Sequence, residues 1–212
     1  MAGTSAHRIL CYGDSLTAGF CYHGSKFIPY AKTLQAQLRS ALNSEVEVDH
    51  YGFSGWTAEE MLSSSQAKEL EDFTGSRGPG LATALKSRSY SLLIFMAGTN
   101  DIGTGRKAEV VFTDLKNLMM FAQASHTRVL NIGIPDTKQK GPDWLNTRRQ
   151  TVNTLLARHA DMDNKWLTFL PCPVTSSNPE YFDTDGLHFS PEGYAALGVS
   201  LTEGVCKILQ DL

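Results

Sequence analysis

Apolar residues along this chain fall into two alternating rhythms. Short apolar runs occur at 8–12, 46–51, 92–97, 128–134 and 166–170. Each has the length of a strand and is followed by polar or glycine-containing sequence. The run at 92–97 is almost unbroken, as expected of a strand buried on both faces, whereas 46–51 alternates. Between the runs, apolar positions recur at helical spacing. In 26–42 they fall at Ile28, Ala31, Leu34, Leu38 and Leu42, which predicts a helix. Segment 57–71 opens on Thr57 with Glu60 three residues later, a reciprocal capping pattern, and is predicted helical. Helices are also predicted over 81–88, 107–124 and 144–164. A last helix opens at Ser190-Pro191-Glu192, with proline at its first position.

Strands separated by helical crossovers predict an α/β fold with a parallel sheet and helices on both faces. No repeat or low-complexity segment interrupts the alternation. The Gly/Ser/Pro-rich piece 74–80 reads as a loop, because too few residues flank it to build two cores. One domain over 1–212 is the expected organisation. In an open parallel sheet, ligands sit beyond the carboxyl ends of the strands. The loops at that edge are 13–25, 52–56, 98–106, 135–143 and 171–189, so a functional site is expected to draw on them. The loop 135–143 is long and polar, and reads either as a rim or lid or as a solvated connection.

Composition narrows the class. With 42% hydrophobic and 19% charged residues, the 212-residue chain is globular. The net charge of −3, with no basic run, gives no electrostatic footprint for nucleic acid. The four cysteines (Cys11, Cys21, Cys172, Cys206) are scattered and form no CxxC, which favours a reducing compartment. The opening residues lack the apolar core of a signal peptide, and no stretch approaches membrane-spanning length. A soluble, cytoplasmic protein without membrane insertion is therefore expected.

The chemistry gathers at the strand ends. Gly13-Asp14-Ser15-Leu16 follows the first strand directly. A serine there is either a helix cap or a nucleophile, and a nucleophilic serine needs a positioned base. His188 is the candidate base and Asp185 its orienting partner. Gly186 gives the turn freedom an Asp needs to reach a His three residues on. None of the other histidines (His7, His23, His50, His126, His159) has a comparable partner. An acyl-transfer site also needs donors for the developing oxyanion. The backbone N–H groups of Ser15 and Gly55 and the side-chain amide of Asn100 are the candidates, with Gly52 competing for the role of Gly55. Asp14 and Asp101 read as scaffolding, since a short carboxylate in a turn commonly accepts backbone N–H bonds. No metal-ligand cluster stands out. The loose Gly103-Thr104-Gly105 fingerprint follows the third strand instead of the first, which argues against a dinucleotide site. Gly52-Phe53-Ser54-Gly55-Trp56 misses the G-x-S-x-G elbow at its last position.

The order of these blocks resembles the SGNH hydrolase (GDSL esterase/lipase) family. It runs Gly-Asp-Ser near the start, a glycine after the second strand, Gly98-Thr99-Asn100-Asp101 after the third, and Asp185-Gly186-Leu187-His188 near the end. Thr99 departs from the Gly-Gly-Asn-Asp common in the family. The resemblance implies a three-layer α/β/α sandwich on a five-stranded parallel sheet. It implies Ser15 as nucleophile, His188 and Asp185 as base and partner, and Ser15, Gly55 and Asn100 as the oxyanion hole. It also implies a small-molecule ester substrate (acyl ester, acetylated sugar, lysophospholipid or thioester) and no metal or cofactor. Small size and the absence of a lipid-binding segment point to short acyl or acetyl esters. Trp56, Phe20 and Phe189 are candidate substrate-binding residues, and the alternative is that such aromatics belong to the core. A non-catalytic binding module on the same fold is the rival class. An intact Ser15, Asp185 and His188 argue against it, because a binder has no use for a paired nucleophile and base.

Overall fold

A computed structural model describes residues 7–163 and 165–211. Five parallel strands form the sheet: β1 (His7–Asp14), β2 (Val46–Phe53), β3 (Leu92–Met96), β4 (Arg128–Ile132) and β5 (Leu167–Leu170). Their spatial order is β2-β1-β3-β4-β5. The chain thus starts inside the sheet, steps out to β2 and returns past β1 to β3. This reversal places a switch point at the carboxyl ends of β1 and β3, where ligands of open α/β sheets bind.

The helices are α1 (Ser15–Ala18), α2 (Tyr30–Leu42), α3 (Ala58–Ser63), α4 (Leu81–Ser87), α5 (Thr99–Gly103), α6 (Ala108–Ala124), α7 (Asp143–Met162) and α8 (Pro191–Gln210). The two-residue period of β1 divides the core. Ile9 and Cys11 face a cluster built on α2 and α8, with Leu34, Leu38, Leu197, Leu201 and Val205. Leu10 and Tyr12 face the cluster of α3, α4, α6 and α7, with Met61, Leu85, Leu115, Leu118 and Leu156. Successive side chains of a strand point to opposite faces, so one short run feeds both cores. The chain is therefore a three-layer α/β/α sandwich on five parallel strands, as expected.

Four predicted elements differ. The helix predicted over 26–42 begins only at Tyr30, after Pro29. Lys26 and Phe27 instead pair antiparallel with Cys21 and Phe20. The helix predicted over 57–71 stops at Ser63, although its Thr57–Glu60 capping box forms as foreseen. The polar Ser63-Ser64-Ser65 run ends the apolar period, and Leu70–Glu71 pairs antiparallel with Arg77–Gly78. The 74–80 loop is thus partly a hairpin. The predicted strand over 128–134 ends at Ile132. The helix predicted to reach 164 ends at Met162, and residue 164 lies outside the described residues. So do residues 1–6, on which the reading of the N-terminus rests, and Leu212.

Candidate active site

Ser15 is the first residue of α1, immediately after β1. Asp14 caps that helix, accepting the Leu16 N–H on Oδ1 at 3.0 Å. Gly19, with φ +79°, ends it after one turn. The cap and the stop together hold Ser15 at the strand tip, where its own N–H is one of the orphan donors of a helix start. Gly13 lets β1 approach its neighbour, since a Cβ there would lie 1.8 Å from the Met96 carbonyl oxygen.

The C-terminal turn meets this serine. His188 Nε2 lies 2.9 Å from Ser15 Oγ, and His188 Nδ1 lies 2.7 Å from Asp185 Oδ2. Asp185 Oδ1 accepts the N–H groups of Leu187 and His188 at 2.8 and 2.9 Å. Gly186, at φ +70°, allows the reversal. Burial acts to raise the Asp185 carboxyl. The His188 ring and the two backbone donors outweigh it and leave Asp185 below its ordinary value. An ionised Asp185 holds the proton on Nδ1, which leaves Nε2 free to accept the serine hydroxyl.

The two oxyanion-donor candidates besides Ser15 lie on neighbouring loops. Gly55 sits in the turn after β2 at φ +82°, a conformation that L side chains rarely adopt. Gly52 is different. A Cβ there would lie 2.1 Å from the Ala18 nitrogen, so its small size serves the contact between β2 and α1. Asn100 Nδ2 donates to the Trp56 carbonyl at 2.8 Å, which orients the amide and leaves its second N–H to give. Asp101 ties the same two loops together. It is fully buried and accepts the Ala58 N–H on Oδ2 at 2.9 Å. Its Oδ1 receives Arg106, which also bonds Asp114 at 2.7 Å.

Phe20, 9% exposed, stacks on the His188 ring at 4.4 Å between centroids. Its hairpin is fastened by Asp183, whose carboxylate accepts the Tyr22 N–H. Asp183 also belongs to the His188 turn, donating its N–H to the His188 carbonyl at 2.8 Å. Trp56 is half-buried against Phe53. Phe189 is not a wall residue. It is fully buried and packs edge-on against Phe182 and Tyr194, since its alternation from His188 turns it into the core. The polar loop 135–143 is stitched to the Asp185 turn: Lys138 N–H and the Thr137 hydroxyl donate to the Gly186 carbonyl, and Gln139 Nε2 donates to that of Asp185.

Asp183 and Arg106 escaped the sequence reading because their partners lie far along the chain. Asp72 did too. Its Oδ2 accepts the Ser54 N–H at 2.6 Å, and the only sequence hint was a short carboxylate opening the turn Asp72-Phe73-Thr74-Gly75-Ser76. Burial also pushes thiols up: Cys11 and Cys172 each reach about 12. Among the described residues, no group of three His, Cys, Asp or Glu side chains gathers as metal ligands would.

A serine, histidine and aspartate joined in one chain of contacts at the strand ends of this sandwich define a hydrolase class. The chain belongs to the GDSL-like lipase/acylhydrolase family, whose model matches residues 11–196, and it is a carboxylic ester hydrolase. Among known proteins it is 26% identical, over 226 residues, to the isoamyl acetate-hydrolyzing esterase of Schizosaccharomyces pombe (strain 972 / ATCC 24843), covering 97% of this chain and 78% of that one. Its fold is similar to a carbohydrate esterase family 3 structure from Talaromyces cellulolyticus, with TM-score 0.74, 18% identity and 97% and 99% of the two chains covered. It is also similar to the psychrotrophic esterase EstA from Pseudoalteromonas sp., inhibited by monoethylphosphonate, with TM-score 0.70, 18% identity and coverage of 96% and 99%.

Proposed function

We propose that this chain is a serine esterase that hydrolyses short-chain acyl esters, acetyl esters foremost, through an acyl-enzyme on Ser15. The observation that carries this reading is the unbroken line Asp185–His188–Ser15, with contacts of 2.7 and 2.9 Å. His188 takes the Ser15 proton as Oγ attacks the ester carbonyl. The oxyanion rests on the N–H groups of Ser15 and Gly55 and on the Asn100 amide. His188 then gives its proton to the departing alkoxide. A water, activated by the same imidazole, releases the acid and frees the serine. These steps draw on side chains and backbone N–H groups of the protein and on water.

The likeness to the fission-yeast isoamyl acetate-hydrolyzing esterase supports an acetyl group on the acid side and a small apolar alcohol. The four cysteines are unpaired, which supports a reducing, cytoplasmic setting. No helix among the described residues is long and apolar enough to cross a membrane.

Ser15→Ala tests the mechanism. Its rate on isoamyl acetate and p-nitrophenyl acetate is expected to fall by at least about 10³-fold. A fluorophosphonate should label the native chain but neither the variant nor heat-unfolded protein. Retained hydrolysis by Ser15→Ala would overturn the mechanism.

A further inference from the structure

Phe73 is the second most exposed large apolar side chain among the described residues, at 77%. Lone exposed apolar residues are ordinary, but this one is held in a defined place. It lies at the tip of the hairpin formed by Leu70–Glu71 and Arg77–Gly78. The tip is wound around the buried Asp72 carboxylate. Oδ1 accepts the N–H groups of Thr74 and Ser76 at 2.8 and 3.0 Å and the Thr74 hydroxyl at 2.6 Å. Oδ2 reaches across to the Ser54 N–H. One carboxylate therefore locks the hairpin tip to the turn that carries Gly55. The Phe73 ring lies against that glycine: a Cβ built on Gly55 would meet Cε1 and Cδ1 at 3.1 and 3.3 Å.

The ring thus sits beside an oxyanion-hole residue with most of its surface open to solvent. Beside His188, Phe20 stacks on the imidazole, and the Phe27 ring stands nearly perpendicular to Phe20 with 5.9 Å between centroids. An ester carbonyl attacked by Ser15 and held by the Gly55 N–H would therefore meet one aromatic residue beside His188 and another beside Gly55. We propose that Phe73 is a specificity-determining residue, an apolar wall beside the oxyanion hole that favours esters carrying an extended apolar group over the smallest esters. The inference rests on the esterase reading above and adds the substrate class: apolar in the group adjoining the ester.

The test compares two series, acetates of ethyl to hexyl alcohol and ethyl esters of acetic to hexanoic acid. For the wild type, kcat/KM is expected to rise with length in at least one series. Phe73→Ala should lower the ratio of longest to shortest ester in that series at least fivefold, chiefly through KM, as loss of ground-state contact does. Phe73→Leu should restore most of the ratio. Because the side chain is exposed, neither substitution disturbs a core. An unchanged ratio in Phe73→Ala overturns the proposal. So does an equal loss on every ester, which would make Phe73 only a prop for the Gly55 turn. A wild type inactive on all the esters sinks the esterase reading and this inference together, whereas an active wild type with an unchanged ratio sinks this one alone.

Discussion

At the scale of single residues, the site depends on a few groups whose neighbours remove their freedom. Asn100 is the clearest case. One amide N–H is fixed by the Trp56 carbonyl, so the other is aimed before substrate arrives. Donors positioned in advance stabilise charge without reorganising at the moment of reaction. Asn100→Ala is therefore expected to lower kcat by about 10² to 10³ while KM moves little, checked by steady-state kinetics on a short acetyl ester. Equal changes in kcat and KM would count against its oxyanion role. Ser15 and Asn100 could be picked out as candidates in the sequence because each stands just past an apolar run, and Asp185 and His188 because they are spaced three apart across Gly186 in the loop after the last run. The contest between Gly52 and Gly55 was not, since both are turn glycines on paper. The structure separates them by a 2.1 Å contact at one and a φ of +82° at the other. Phe189 misled for a similar reason, because adjacency to His188 does not reveal which way a side chain turns.

At the scale of elements, the loops of the candidate site are braced against each other. Asp101 joins the start of α3 to α5, and Arg106 neutralises it from the loop before α6. Asp101 is fully buried and the Arg106 side chain is 17% exposed, so losing the guanidinium strands a carboxylate away from water. Arg106→Met is expected to lose about 3 kcal/mol of stability in urea unfolding. The double variant Asp101→Asn/Arg106→Met should recover part of it, because the amide oxygen still accepts the Ala58 N–H without a charge. If the double variant is no more stable than the single, the stranded charge is not the cause. All five sheet strands were legible from local pattern, with errors of a few residues at their ends. The hairpins at 20–27 and 70–78 were not. Their strands are two residues long and are held by carboxylate contacts between residues far apart in the chain, Asp183 with Tyr22 and Asp72 with Ser54, which leave no periodic trace.

At the scale of the whole molecule, the order β2-β1-β3-β4-β5 brings residues 15 and 188 within hydrogen-bond distance, and it does so by placing an acid in the core. Asp14 must cap α1 from a fully buried position beside Asp101, and its Oδ2 has no hydrogen bond of good geometry. Burial raises its carboxyl, the Leu16 and Thr99 groups pull it back, the Asp101 charge raises it further, and the balance is about 7. A folded value above the unfolded one of about 3.9 means that the native state binds the proton more tightly. Asp14 thus favours the fold fully below about pH 4 and loses that advantage as pH rises through 7, by up to about 4 kcal/mol. Asp185 acts in the opposite sense. Its lowered carboxyl contributes stability above its unfolded value and loses it as pH falls through the folded one. Asp14→Asn keeps an acceptor for Leu16 but cannot ionise. It should be more stable than the wild type at pH 8, with the gap shrinking toward pH 5, as measured by urea unfolding at both values. A gap that stays constant would mean that Asp14 holds the same charge throughout, and that the cost of burying it lies elsewhere.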